Sequence, residues 1–102
     1  MNFKTAVHSD EYVIWLEGRT AADDCQRITE IARQFIDSPC CELILDFEKL
    51  VILDSLGLSI ILLVQNELEG KDNKKLLLRN PSGKVKAMFK NFNIDKVVDV
   101  QW

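Results

Sequence analysis

Residues 51–58 are Val-Ile-Leu-Asp-Ser-Leu-Gly-Leu, an apolar run that breaks at an acid and a hydroxyl and then becomes apolar again. An Asp or Ser at such a junction can accept hydrogen bonds from the backbone N–H groups that lack partners in the first turn of a helix. We therefore predict a helix from Ser55 to about Glu69, closed by Gly70, with Asp54 and Ser55 at its N-terminal end. A phosphate or a partner's charge placed there would feel the positive end of the helix dipole.

The predicted helix is unusually apolar, because almost every residue from Leu56 to Val64 lacks a charge or a strongly polar group. One packed face needs apolar residues at only three or four of every seven positions. Two interpretations stay open. The helix is buried between a sheet and a neighbouring helix, or its first turns reach the surface as an apolar docking patch.

Five strands are predicted around this helix. The run Leu43-Ile44-Leu45 followed by Phe47 is short and apolar, which is typical of a central strand covered on both faces. The other strands are predicted from runs rich in β-branched, aromatic or aliphatic residues: 3–7 and 12–16, which form a hairpin around the polar turn 8–11, then 74–79 and about 97–100.

Two further helices are predicted from apolar residues that recur at helical spacing. The first begins at Thr20-Ala21-Ala22-Asp23, which has the form of a capping box, and ends at Ser38-Pro39. Its apolar stripe comprises Cys25, Ile28, Ile31, Ala32, Phe35 and Ile36. The other helix begins with Asn80 as N-cap and Pro81 at the first helical position, and its apolar face comprises Val85, Met88, Phe89 and Phe92.

The element order is therefore ββαβαβαβ. It predicts an α/β fold with a mixed sheet, in which an N-terminal hairpin joins parallel strands and the helices pack on the sheet. A chain of 102 residues forms one domain, residues 1–102, with a single core. No run approaches the roughly 18 apolar residues that span a bilayer, and the N-terminus does not resemble a signal peptide, so we expect a soluble cytoplasmic protein.

Charge is divided unevenly along the chain. Residues 1–70 carry five Lys or Arg against 13 Asp or Glu, whereas residues 71–102 carry eight against three. The basic part indicates a solvated face or, as the second interpretation, a patch for an acidic partner. Nucleic-acid binding is not predicted, because the basic residues are not interleaved with aromatic residues that could stack on bases.

The residues that usually carry catalysis or bind metals are sparse. Cys25 is expected to pack as a small hydrophobe, and the adjacent pair Cys40-Cys41 has no evident role. With His8 as the only histidine, no metal site and no Cys/His nucleophile is predicted, nor any cofactor. An enzyme using Asp46 or Asp54 is the least favoured alternative, because no paired histidine or Gly-rich phosphate loop accompanies either acid.

Order and motif together resemble the STAS domain, the fold of bacterial anti-sigma factor antagonists. The resemblance covers nearly the whole chain. It rests on the strand that ends at Leu45-Asp46-Phe47 and on the segment from Leu53 to Leu58. Asn80-Pro81-Ser82 followed by Val85 and Phe89 also looks like the entry to the family's third helix.

This resemblance implies a regulatory, non-enzymatic function. In that family a Ser or Thr of the Asp-Ser-x-Gly segment is phosphorylated by a partner kinase, which often doubles as an anti-sigma factor. The unmodified antagonist binds the kinase and frees the sigma factor, and modification breaks the complex. The resemblance implies Ser55 as the phosphorylation candidate, with Gly57 letting backbone come close. The implied partner-binding residues are Asp54, Ser55, Leu56, Gly57 and Leu58.

Three features of the chain depart from the usual antagonist pattern, and two of them lead to a second hypothesis. Many antagonists have Asp-Ser-Ser-Gly and are modified at the second hydroxyl, where this chain has Leu56, although other members are modified at the position of Ser55. An acid usually stands where this chain has Ala21, and the family's final helix is missing or vestigial. The chain thus also resembles the small STAS subunit of bacterial lipid-transport ABC complexes, which binds the ATPase without phosphorylation. In either case the partner is a protein, no direct membrane insertion is expected, and a homodimer stays open.

Overall fold

Strands and helices alternate along the chain after an opening pair of strands, as predicted. The structure is a computed structural model that describes all 102 residues. The strands are β1 (Asn2–His8), β2 (Glu11–Glu17), β3 (Glu42–Asp46), β4 (Lys75–Arg79) and β5 (Asp99–Gln101). The helices are α1 (Asp24–Asp37), α2 (Ser55–Leu68) and α3 (Gly83–Asn91), and a 3₁₀ turn (Ile94–Lys96) precedes β5. The α/β fold with the order ββαβαβαβ is confirmed.

The five strands lie in the sheet in the order in which they occur in the chain. β1 pairs with β2 in the antiparallel direction, and the other neighbours are parallel. Because right-handed crossovers between successive neighbours all return over the same side, this order places α1, α2 and α3 on one face of the sheet. The strand residues in the core cluster, which point toward the helices, are Ile14, Leu16, Leu43, Leu45, Leu76 and Leu78.

The other face of the sheet carries no helix. Ile44 is only 1% exposed, yet it points away from the helices and lies outside the core cluster that holds Leu43 and Leu45. The central strand is thus covered on both faces, as predicted, but by helices on only one of them. Val13, its partner in β2, is also buried outside the cluster, so neighbouring side chains on the sheet itself shield this face.

The start of α1 differs from the predicted capping box. The helix begins at Asp24, and its N-cap Asp23 makes no side-chain hydrogen bond to the helix. Asp24 itself is fully buried, where its carboxylate accepts hydrogen bonds from the backbone N–H of Ala21 and from Arg27. The Thr20 hydroxyl is free for another partner, described below. The predicted end of the helix at Ser38 is confirmed.

The start of α3 also lies later than predicted. Its N-cap is Ser82, whose hydroxyl accepts a hydrogen bond from the N–H of Val85 at 3.4 Å. Asn80, the predicted cap, instead has a left-handed backbone conformation (φ 57°), not the extended conformation of an N-cap residue. Val85 and Phe89 are buried as expected, whereas Phe92 caps the C-terminal end and is 60% exposed.

The last strand is shorter than predicted. β5 begins at Asp99, because the preceding residues form the 3₁₀ turn and a bend. Val98 belongs to the core, but Val97 is 55% exposed. No helix of the chain combines the length and the apolar character that crossing a membrane requires.

The C-terminal end of α1 is held by a lysine from the turn before β4. The ammonium group of Lys74 donates hydrogen bonds to the carbonyl oxygens of Phe35, Ser38 and Cys40. It also lies 4.8 Å from the centroid of the Phe35 ring. Cations are favourable at this end of a helix, where carbonyl groups lack partners, so Lys74 serves the fold rather than a basic surface patch.

Candidate functional site

The N-terminal end of α2 is built as the sequence predicts. Asp54 is the N-cap in extended backbone conformation, and its Oδ1 accepts a hydrogen bond from the N–H of Gly57 at 2.9 Å. Its carbonyl oxygen accepts the first intrahelical bond, from the N–H of Leu58 at 3.0 Å. The side chain of Asp54 thus satisfies the Gly57 N–H, a donor of the first turn that would otherwise lack a partner.

The second oxygen of Asp54 is held by a residue from a distant loop. The Thr20 hydroxyl, in the segment between β2 and α1, donates a hydrogen bond to Asp54 Oδ2 at 2.7 Å. The hydrogen bond from Thr20 and then that from the Gly57 N–H lower the pKa of the Asp54 carboxyl below its ordinary value. The carboxylate is therefore ionised at neutral pH and fixed in orientation, although its side chain is exposed.

Ser55 occupies the first position of α2 and is exposed to solvent. Its hydroxyl makes no hydrogen bond within the protein, whereas its carbonyl oxygen accepts one from the Ser59 hydroxyl at 3.0 Å. The serine oxygen is thus free, beside a fixed carboxylate and at the positive end of a helix dipole.

The three following residues differ in exposure. Leu56 is partly exposed, whereas Gly57 and Leu58 are buried. A side chain at position 57 would collide with the Leu53 side chain, which fills the space next to the glycine. Leu53 and Leu58 flank the cap within the core cluster, as in a hydrophobic staple. Gly57 therefore allows the helix to approach the chain's own Leu53.

Burial of the apolar side of α2 is confirmed, whereas an apolar docking patch at its first turns stays a prediction. The side facing the sheet is buried, and it comprises Leu58, Ile60, Ile61, Val64 and Leu68. The outer side begins at Ser55 and continues through Ser59 to Leu62, which is 45% exposed. The helix is thus a core element whose first turns also present a surface.

Asp46, the other acid weighed for catalysis, is used by the fold. It is 2% exposed, and Oδ2 accepts hydrogen bonds from Arg79 Nε at 2.9 Å and Asn80 Nδ2 at 3.1 Å. Its Oδ1 accepts one from the N–H of Glu48 at 2.9 Å. These contacts join the carboxyl ends of β3 and β4 and direct the Asn80 side chain to Asp46, away from α3.

Cys40 and Cys41 lie away from this site. All three cysteines are free, and Cys41 lies near the β1–β2 turn, at the opposite edge of the sheet. Burial, together with a hydrogen bond and the negative charge of Asp10, raises the pKa of the Cys41 thiol. No group of three His, Cys, Asp or Glu side chains is arranged to hold a metal ion.

Sequence reasoning missed Thr20 as a member of the site. It follows Gly18 at the carboxyl end of β2, and Asp54 follows the carboxyl end of the neighbouring parallel strand β3. The carboxyl ends of parallel strands meet at one edge of a sheet, so this topology could have suggested the contact. Its local sequence predicted a helix cap instead.

Comparison with known proteins supports the fold. A family model described as the STAS domain matches residues 4–101. The Thermotoga maritima protein TM1081 superposes with a TM-score of 0.85 at 15% identity, over 99% of this chain and 81% of that chain. The anti-sigma factor antagonist SpoIIAA in its unphosphorylated form has a TM-score of 0.78 at 23% identity, over 99% and 89%. SpoIIAA in its phosphorylated form, described as a Bacillus cell fate determinant, has a TM-score of 0.72 at 22% identity, over 99% and 92%. No curated protein matches the sequence.

Proposed function

The chain belongs to the STAS domain family, and from this premise we propose that it is a cytoplasmic anti-sigma factor antagonist. It binds a serine-kinase anti-sigma factor through the N-terminal end of α2 and is released when that kinase phosphorylates Ser55. The observation that carries the proposal is the Ser55 hydroxyl, which is exposed and unbonded at the first turn of α2.

The contact surface consists of the residues at this end that a partner can reach. Asp54 and Ser55 are exposed and Leu56 is partly so, and the outer side of α2 extends them through Ser59 and Leu62. Gly57 and Leu58 are buried, so they support the surface from beneath by fixing the first turn.

Phosphorylation at Ser55 suits a switch that leaves the domain folded. It adds about 1.5 to 2 negative charges at neutral pH. The helix N-terminus favours that charge by about 0.3–1 kcal/mol, and the neighbouring Asp54 carboxylate opposes it. Burying the same charge in an interface without a cation costs several kcal/mol, which is enough to dissociate a micromolar complex.

The test uses the cognate serine kinase with ATP. We expect mass spectrometry to detect one phosphate on the wild type and none on Ser55→Ala. Ser55→Asp should bind the kinase at least about tenfold more weakly, because an added interfacial charge costs more than 1.4 kcal/mol. Ser9→Asp, at an exposed turn at the other edge of the sheet, is the matched control and should bind as the wild type does. An unmodified wild type, together with normal binding by Ser55→Asp, would rule out the switch.

One observation favours a second candidate, a constitutive assembly subunit of a lipid-transport ABC complex. Leu56, partly exposed beside Ser55, stands where many antagonists carry their phosphorylated hydroxyl, and it adds apolar surface instead. This function predicts co-purification from native cells with an ABC ATPase and no phosphate turnover. Co-purification with a serine kinase instead of an ABC ATPase would support the antagonist function.

A further inference from the structure

An exposed apolar ridge stands next to the proposed switch. Val51 is 65% exposed and Ile52 is 69% exposed, and they lie in the loop between β3 and α2. Two adjacent exposed aliphatic side chains form a small apolar patch, and such a patch rimmed by polar residues is typical of an interaction site. We call this pair the 51–52 ridge.

One side of the ridge borders a groove against α3. The groove has a volume of about 410 Å³, and its lining is mainly apolar: Ile52, Leu53, Lys84, Ala87, Met88 and Asn91. We call it the α3 groove. Its wall is fixed from beneath, since Phe89 of α3 packs edge-on against Phe47 with ring centroids 5.2 Å apart. The one charged residue in the lining is Lys84, which is exposed.

The other side of the ridge borders a cleft at the carboxyl ends of β2 and β3. This cleft, of about 540 Å³, also has Ile52 in its lining, so the ridge separates it from the α3 groove. Its cations are Arg19 and Lys49, both exposed. Its one carboxylate is Asp54, whose two oxygens already accept hydrogen bonds from Thr20 and Gly57.

The charge of this surface is opposite to that of the whole chain. The protein has a formal net charge of −3, yet the two linings contain three cations and one carboxylate. Glu48 is exposed beside Lys49 but lines neither cavity. An apolar ridge flanked on both sides by cations complements a partner segment with an apolar centre and acidic flanks.

We infer that the 51–52 ridge and the α3 groove dock an acidic segment of the partner protein, and this inference rests on the proposed function. A large aliphatic or aromatic side chain of that segment enters the α3 groove beside Ile52. Carboxylates on either side of it face Lys84 and the pair Arg19 and Lys49. The surface thereby selects partners by charge.

The test uses synthetic peptides and the full chain. The probe is a capped peptide with a central Leu-Leu pair between runs of Glu and Asp. One control peptide has Ser-Ser at the centre, and the other replaces each acid with Lys. Isotope-edited NMR titration should show shifts for Ile52, Leu53, Lys84, Ala87 and Met88 with the acidic Leu peptide. Affinity should fall as salt is raised, since the pairs are exposed.

Matched variants separate the two parts of the surface. Lys84→Glu should weaken binding of the acidic peptide about three- to tenfold, and Ile52→Ser should weaken it about tenfold. Lys71→Glu and Val7→Ser, exposed positions elsewhere on the chain, should leave its affinity unchanged. Thermal unfolding of each variant checks that it is folded.

Three outcomes overturn the inference: no binding of the acidic Leu peptide, equal binding of the Lys peptide, or shifts centred outside the groove. The result is independent of the proposed switch. If the kinase fails to modify Ser55 while the peptide binds as described, the docking surface stands and the antagonist function falls. If the kinase binds the Lys84→Glu and Ile52→Ser variants normally and the peptide does not bind, the docking surface falls and the antagonist function stands.

Discussion

Thr20→Val removes the hydroxyl that holds Asp54 while keeping the shape of the side chain. The deleted hydrogen bond is short, at 2.7 Å, and links residues 34 positions apart. A hydrogen bond to an ionised acceptor contributes about 1.5–3 kcal/mol when it is shielded from water. Because Asp54 is exposed, screening reduces this to about 0.5–1 kcal/mol. We expect the free energy of unfolding to fall by that amount.

Asp54→Ala removes both contacts of the same carboxylate. Loss of an Asp N-cap costs about 1 kcal/mol, and loss of the Thr20 contact raises the total to about 1.5–2 kcal/mol. In the double variant the change at Thr20 should cost almost nothing more, because its acceptor is already gone. The expected coupling energy between the two residues is therefore about 0.5–1 kcal/mol.

Urea denaturation followed by far-ultraviolet circular dichroism measures these differences. With a slope near 1–1.5 kcal/mol/M, a loss of 0.5–1 kcal/mol lowers the midpoint by about 0.3–1 M. Thr5→Val is the control, since Thr5 is exposed in β1 and should change stability by less than about 0.5 kcal/mol. Strictly additive effects of Thr20→Val and Asp54→Ala would refute the proposed coupling.

The coupling should also depend on pH in one direction. The folded pKa of Asp54 is lowered, chiefly by the Thr20 hydrogen bond. The stabilisation is therefore fully present above the unfolded pKa of about 3.9, and it is lost as the pH falls through the folded pKa. The cost of Thr20→Val should be constant between pH 7 and pH 5 and shrink below about pH 4. An equal cost at pH 3 and pH 7 would contradict this account.

Three further substitutions test the packing around the site by urea denaturation. Gly57→Ala should lower the free energy of unfolding by about 1 kcal/mol, because the cost of displacing the Leu53 side chain exceeds the gain in helix propensity. Leu53→Ala should then cost less in the Gly57→Ala background than in the wild type. Lys74→Met should cost about 1.5–3 kcal/mol, because the carbonyl groups of Ser38 and Cys40, just after α1, lose the donor that Lys74 supplies; an unchanged midpoint would contradict the cap. Asp46→Ala should cost about 2–3 kcal/mol, since it leaves the partly buried Arg79 without its partner, and a loss below 1 kcal/mol would count against this ion pair.

The sequence predicted those parts of the structure that depend on neighbouring residues, such as the start of α2 and the buried face of α1. The start of α2 was predictable because Asp54 both ends an apolar run and supplies the acceptor that the helix needs. The buried positions Ile28, Ala32 and Phe35 of α1 followed from their spacing, because one face of that helix packs in the core.

The starts of α1 and α3 were not predictable because distant carboxylates hold the side chains that were predicted to cap these helices. The Thr20 hydroxyl bonds to Asp54, and the amide of Asn80 bonds to Asp46, each across more than 30 residues. Both residues have side chains that are equally suited to capping a helix or to joining two loops. Only the arrangement of the strands decides which of these contacts forms.

The order of the strands in the sheet has a consequence for how the protein folds. Each strand pairs with the one that precedes it in the chain, so assembly can close one crossover at a time. Folding of parallel sheets is usually slow, because strands that are distant in sequence must pair early. Here each strand that joins the sheet pairs with the strand before it in the chain. The chain can therefore grow its sheet from one edge to the other, with no step that waits for the two ends to find each other.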